Sequence, residues 1–299
     1  MNASVATTPI VVGVDGSSAG IRAVRWAARE AKRQGVPLSL VHSVPRLPRD
    51  PYPTAALYIN DLRTAARADG AKFLAEADAA AAEVADGVKV TEVQHVGGPT
   101  EVLSRESAAA RMVVIGATGR IGLADLMIGS TALGLPARSH APVVIVRDRA
   151  DGSPADSGPV VVAVSGSPLD EAPLEFAFEY ASKSGAELIA VHSWSDATLP
   201  EFDRVAGGSD AWLKIVEREK RLLAEGLAGY AERYPDVVTQ SVVVYDRPAR
   251  ALVDYSETAQ LLVVGTRGRG PLTGAFLGST SRAVGKLAQC PVAIVRQYD

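Results

Sequence analysis

Short unbroken runs of Val, Ile and Leu recur along the chain, separated by longer stretches with apolar residues every third or fourth position. Residues 10–14 (IVVGV) form the first run and predict a strand. Over Ser18–Gln34, the residues Ile21, Val24, Ala28 and Ala31 fall on one face, with Arg22, Arg25, Arg29 and Lys32 elsewhere, which predicts an amphipathic helix. Ser17 or Ser18 is placed to cap its start, and Gly35 followed by Pro37 to end it. A strand over 38–43 follows, then a Pro-rich loop over 45–53 and an Ala-rich helix over about 55–85. A strand at 88–96, a short helix at 100–109 and strands at 112–115 and 142–146 complete the series. These strands are mostly continuous rather than alternating in hydrophobicity. They must be buried on both faces, as in a parallel sheet covered by helices.

The same order is written twice. PIVVGVDGSSAG (9–20) matches PVVVAVSGSPLD (159–170), and LSLVHS (38–43) matches LIAVHS (188–193), each pair 150 residues apart. MVVIGATGR (112–120) matches LLVVGTRGR (261–269), and APVVIVR (141–147) matches CPVAIVR (290–296), each pair 149 apart. A single net gap therefore aligns nearly the whole chain with itself. The fold class expected is α/β: two repeated, open, doubly wound, parallel five-stranded sheets with helices on both faces. The expected domains are 1–148 and 159–299, with the Gly-, Ser-, Pro- and Asp-rich stretch 149–158 as linker.

Both repeats carry the spacing Gly, two residues, Gly, nine residues, Gly, Ser directly after the fourth strand. It reads Gly116, Gly119, Gly129, Ser130 in repeat 1 and Gly265, Gly268, Gly278, Ser279 in repeat 2. In open α/β sheets ligands bind beyond the carboxyl ends of the strands, where the strand order switches. Glycines there can adopt φ > 0 or let backbone approach a ligand, and successive N–H groups can form an anion-binding nest. Ser130 and Thr131, or Ser279 and Thr280, then open a helix whose first N–H groups lack intrahelical partners. Loop and helix start together suit a phosphate chain, and Arg120 and Arg269 are placed to add charge-assisted hydrogen bonds. The competing reading makes these glycines turn and cap residues with no ligand. No G-x-x-x-x-G-K-[ST] occurs, and no G-x-G-x-x-G opens the first helix of either repeat.

On these residues the chain resembles a tandem universal stress protein of the ATP-binding type, over nearly its whole length. The resemblance implies a Rossmann-like fold and ATP as ligand, with the ends of strands one and two (Gly13, Val14, Asp15 and Ser43) at adenine and ribose. It implies the triphosphate on Gly116 to Arg120 and on Gly129, Ser130 and Thr131, with Ile115 lining the pocket. The matching positions of repeat 2 are Ala163, Val164, Ser165, Ser193, Val264, Gly265, Gly268, Arg269, Gly278, Ser279 and Thr280. Ser165 stands where repeat 1 has Asp15, so repeat 2 is expected to bind nucleotide more weakly. Mg²⁺ is expected only with the phosphates, which supply most of its ligands. Association through the fifth-strand edges (142–146 and 291–295) is implied, either between the two halves as a pseudo-dimer or between chains as a homodimer.

The role implied is a nucleotide-dependent regulator of stress response or growth, with hydrolysis slow or incidental. An ATPase or nucleotide-activating enzyme, and a cAMP-binding or purely partner-binding module, are the alternatives. Asp125 is the only carboxylate in the nine-residue excursion of repeat 1 and has no counterpart in repeat 2, a poor choice for shared catalysis. Composition narrows the partners. A net charge of −3 in 299 residues, with no basic or aromatic-interleaved stretch, argues against nucleic acid and anionic membranes. The lone cysteine, Cys290, precedes an apolar strand and is expected to be buried. The amino terminus has no charged, apolar leader pattern, and no apolar run reaches spanning length, so a cytoplasmic protein is expected. His42 and His192 lie at equivalent strand ends and are expected to bond backbone; Trp26, Trp194 and Trp212 are expected to be packing or lid residues. The loops 45–53 and 194–208 leave strand two in each repeat and could cover a nucleotide.

Overall fold

The computed structural model describes residues 8–46, 53–118, 128–194, 210–266 and 277–297, with only the backbone described at 53–58, 194 and 210–212. The chain divides into two compact units, Met1–Arg147 and Asp148–Asp299. Gly119, Arg120, Asp125, Gly268 and Arg269 lie outside the described residues, as do most of both lid loops and the side chains of Trp194 and Trp212.

In unit 1 the order is β1 (Ile10–Val14), α1 (Ser18–Gln34), β2 (Leu38–Val44), α2 (Pro53–Val84), β3 (Val90–Val96), α3 (Pro99–Glu106), β4 (Met112–Gly116), α4 (Ser130–Gly134) and β5 (Val143–Val146). The strands lie in the order β3-β2-β1-β4-β5 and every pairing is parallel. The chain runs outward from β1 through β2 to β3, then returns past β1 to β4. The switch point therefore lies between the carboxyl ends of β1 and β4. Unit 2 repeats this with β6 (Val160–Val164), α5 (Glu171–Ser184), β7 (Leu188–Trp194), α6 (Asp210–Arg233), β8 (Thr239–Tyr245), α7 (Pro248–Ser256), β9 (Leu261–Gly265), α8 (Ser279–Leu287) and β10 (Val292–Val295). Its strand order is β8-β7-β6-β9-β10, again all parallel. The central strands β1, β4, β6 and β9 are buried almost throughout. Strands β3 and β8, at one end of each order, have no fully buried residue and expose Thr91 and Glu92, and Gln240 and Ser241.

Local chemistry sets the ends of α1. Ser17, at ψ 157°, accepts the N–H of Gly20 through its hydroxyl, and Gly35 takes the left-handed conformation at φ 65°. Ala23, Ala27 and Ala31 are fully buried, and Trp26 packs in the same core. In unit 2 the corresponding start differs: a 3-10 turn over Pro168–Asp170, boxed by Ser167 and Asp170, precedes α5.

The helix after the glycine excursion also differs between units, with five residues in α4 and nine in α8. Pro136 accounts for it through its missing N–H: Leu135 is still helical at φ −67° and ψ −44°, but the next residue cannot donate to the carbonyl four positions back. Repeat 2 has Gly285 at that point, and its helix continues to Leu287. The stretch 149–158, expected as a linker, is fastened to unit 2. The Arg149 guanidinium donates to the carbonyls of Glu257 and Ser157, and Gln260 donates to that of Gly158. Cys290 is fully buried. Among the described residues no helix is long and apolar enough to cross a membrane.

Candidate functional site

Unit 1 opens a cavity of about 770 Å³ at the carboxyl ends of β1, β2 and β4. The size suits a small organic ligand or cofactor. Gly13, Val14 and Asp15 border it from β1, Ser43 from β2, and Ile115 and Gly116 from β4. Gly129, Ser130 and Thr131 close it from the start of α4. Of the described residues assigned to the nucleotide in repeat 1, all but Ala117 border one cavity. The excursion between the two glycine elements is pinched at its base, where the Gly129 N–H donates to the Ala117 carbonyl at 2.8 Å.

The reason for glycine at 116 is a correction to the expected one. Neither Gly116 nor Gly129 has a positive φ; Gly129 sits at −66°. A Cβ on Gly116 would lie 2.6 Å from the carbonyl carbon of Ala19 and 2.9 Å from its Cβ. Glycine is required there because the first turn of α1 packs against the end of β4, at the switch point itself. The N-cap positions are the glycines Gly129 and Gly278, so no side chain caps either helix start. With α4 a single short turn, the start of this helix supplies N–H groups but little macrodipole.

Asp15 has two duties. Its Oδ1 accepts the Ser17 N–H at 3.0 Å and the Ser17 hydroxyl at 2.6 Å, so it braces the β1–α1 loop while bordering the cavity. His42 borders it too. Its Nδ1 lies 2.8 Å from the Val14 carbonyl, which can only accept, so the proton sits on Nδ1. The ring meets Phe73 edge-on, with centroids 5.6 Å apart. The helix α2 wall escaped the sequence reading: Ala66, Asp69 and Phe73 face the cavity at three- and four-residue spacing. That spacing was visible in the sequence, but an Ala-rich helix offers several such faces and does not say which one covers β2. Val41, Leu103 and Val102 add apolar surface, so the cavity combines a greasy side with a rim of backbone and hydroxyl groups. Among the described residues no cluster of three metal-ligating side chains occurs.

The matching positions in unit 2 are occupied differently. Val164, the last residue of β6, and Val264 are buried; Ala163 precedes the one and Gly265 ends β9 after the other. The Ser193 hydroxyl donates to the Asp246 carbonyl at 2.6 Å. The Gly265 carbonyl accepts the Ser281 hydroxyl at 2.5 Å, and Gly278 closes the excursion onto Thr266, as Gly129 does onto Ala117. Ser279 and Thr280 open α8. Ser165 does not stand alone in place of Asp15. Its N–H and hydroxyl both donate to Asp170, a residue that the sequence reading missed. His192 bonds the Val164 carbonyl through Nδ1, as His42 does with Val14, but its Nε2 meets Glu219 Oε2 at 3.0 Å. Both side chains of that pair are largely buried.

Comparison with known proteins identifies the family and the fold. The family model described as the universal stress protein family matches twice, over residues 7–147 and 157–296. A universal stress protein of Mycobacterium tuberculosis is 42% identical over 296 residues, covering 96% of this chain and 97% of its own. A second from the same organism is 36% identical over 309 residues, covering 99% of this chain and 97% of its own. A solved universal stress protein from Archaeoglobus fulgidus shares the fold with a TM-score of 0.67 at 20% identity, covering 97% of each chain.

Proposed function

The chain belongs to the universal stress protein family, and on that premise we propose that unit 1 binds ATP in the cavity at the ends of β1, β2 and β4, acting as a nucleotide-dependent regulator. The observation that carries this is the convergence of Asp15, Gly116, Ser130 and Thr131 on one 770 Å³ cavity with an apolar side at Val41, Phe73 and Leu103. The apolar side suits a purine ring, Asp15 a ribose hydroxyl, and the backbone and hydroxyls at 116 and 129–131 a phosphate chain. Mg²⁺ would be held by the phosphate oxygens, with hydroxyls such as those of Ser130 and Thr131 the protein groups of suitable chemistry. Bound nucleotide supplies charge and a large ordering surface; the chain's own residues bind and orient it. Binding is favoured over turnover because the carboxylates bordering the cavity have other placements. Asp15 braces the loop through Ser17, and Asp69 is exposed on α2.

The test is calorimetric titration of nucleotide-stripped protein with Mg-ATP and, separately, cAMP, beside a Ser130→Ala/Thr131→Ala variant. ATP should bind, the variant should weaken it by about tenfold, on the scale of one charge-assisted hydrogen bond, and phosphate release should stay near background. Heat with cAMP but none with ATP would replace ATP by a cyclic nucleotide. Heat with neither would sink the nucleotide reading.

A further inference from the structure

We infer that this chain binds one nucleotide, in unit 1 alone, because unit 2 sets carboxylates of its own, Asp170 and Glu219, at the equivalent strand ends. The inference rests on the nucleotide reading of unit 1 and concerns which residues decide occupancy.

The first carboxylate is Asp170. Its Oδ2 accepts the N–H groups of Ser165, Gly166 and Ser167 at 2.9, 2.7 and 3.0 Å, and its Oδ1 accepts the Ser165 hydroxyl at 2.8 Å. Both oxygens are thus held by the loop's own groups, three N–H donors on Oδ2 and one hydroxyl on Oδ1. Asp170 is also buried, with 8% of its surface exposed. The carboxylate is turned into its own loop rather than toward a ligand. Three successive N–H groups gathered on one oxygen, around Gly166 at φ 74°, make an anion nest that is already taken.

The repeat alignment sets Asp170 against Gly20 and Ser165 against Asp15. The carboxylate has changed places. In unit 1 it comes from the strand end and borders the open cavity; in unit 2 it comes from the helix start and is folded into the loop. The two arrangements compete for the same space, since a Cβ on Gly20 would lie 2.8 Å from Asp15 Oδ1 and the Asp15 side chain would have to move. An aspartate at both positions would set two like charges together.

The second carboxylate is Glu219. Val90 and Thr239 hold the same register beside Leu38 and Leu188, so counting back along the helices places Glu219 at the position of Gly70. In unit 1, α2 comes so close to His42 that a Cβ on Gly70 would lie 2.5 Å from its Cδ2. In unit 2, a glutamate stands there and meets His192 Nε2, placing a carboxylate where unit 1 has ring edge and glycine. The aromatic wall goes as well: Leu222 stands for Phe73 and is 42% exposed.

Titration with Mg-ATP reads the stoichiometry directly. One site per chain is expected. Asp15→Ser/Gly20→Asp, which copies the loop of unit 2 into unit 1, should weaken binding by more than tenfold while circular dichroism and the thermal midpoint stay near those of the parent. Ser165→Asp/Asp170→Gly/Glu219→Gly should raise the stoichiometry to two. Hydrogen exchange on the unaltered chain gives an answer that no variant's folding can obscure: ATP should protect residues 10–20 and leave 160–170 unchanged. Two sites in the parent chain, with half the binding surviving Asp15→Ser/Gly20→Asp, would overturn the inference and leave the nucleotide reading intact. A folded triple variant that stays at one site would remove these side chains as the cause. No heat in the parent chain would overturn the nucleotide reading and this inference with it.

Discussion

Ser17 ties two parts of the molecule together with one hydroxyl. It accepts from the Gly20 N–H and donates to Asp15 Oδ1, so it caps α1 and fixes a cavity carboxylate at once. Ser17→Ala should lower stability by about 1 kcal/mol through the lost cap, read by urea unfolding, and should also weaken ATP binding because Asp15 loses its brace. Gly116 is the other residue on which unit 1 depends. Gly116→Ala sets a Cβ 2.6 Å from the Ala19 backbone. Backbone yields less readily than a side chain, so the cost should be about 1–3 kcal/mol, seen as a lower urea midpoint at unchanged slope. A variant as stable as its parent would show that α1 can move off β4. The glycine pattern was legible in the sequence, but its cause was not. Positive φ, ligand approach and helix contact all ask for glycine, and only the position of Ala19 decides among them.

Among the elements, the pairing of α5 with α6 has a pH dependence of its own. Phe178 stacks between Tyr230 and Tyr234, with centroids 5.2 and 5.7 Å away, and the Tyr234 hydroxyl donates to Glu175 at 2.6 Å. Burial, then that hydrogen bond, pushes the Tyr234 phenol from 10.0 up to about 12. Burial and the negative charge of Glu171 and Glu175 also raise Tyr230. A folded-state pKa above the unfolded one means that the native state holds its proton longer. The contribution is complete below pH 10 and is lost as the pH rises toward about 12. Stability should therefore fall across that window, and Tyr234→Phe should flatten the fall; an unchanged slope in denaturant titrations at pH 9 to 12 would refute the assignment. Most elements were legible from periodicity, since continuous Val and Ile runs have few other solutions. The boundaries that moved have local causes: Pro136 stops α4 after one turn, and the Pro168–Asp170 turn delays α5.

For the whole chain, ligand linkage makes a further prediction. If ATP binds the native state at a single site, a hundredfold excess over its dissociation constant should stabilise by about 2.7 kcal/mol. The thermal midpoint should then rise with the logarithm of ATP concentration, and Asp15→Ser/Gly20→Asp should abolish that rise. A rise that survives the substitution would place the nucleotide elsewhere. Net charge of −3 argues against nucleic acid competing for this surface.

By itself the sequence determined the duplication, the α/β class, the parallel sheets and the strand ends at which a ligand would sit. All of these follow from short-range patterns: burial on both strand faces, helical period, and glycine spacing repeated 149 residues on. Only the tertiary structure decided what surrounds those strand ends. It brought α2 over His42, set α1 against Gly116, and turned Asp170 and Glu219 inward in unit 2. The physical reason is distance along the chain. Whether a carboxylate faces a ligand or its own backbone depends on which N–H groups lie within about 3 Å of it, and those groups come from elements that no local pattern places together.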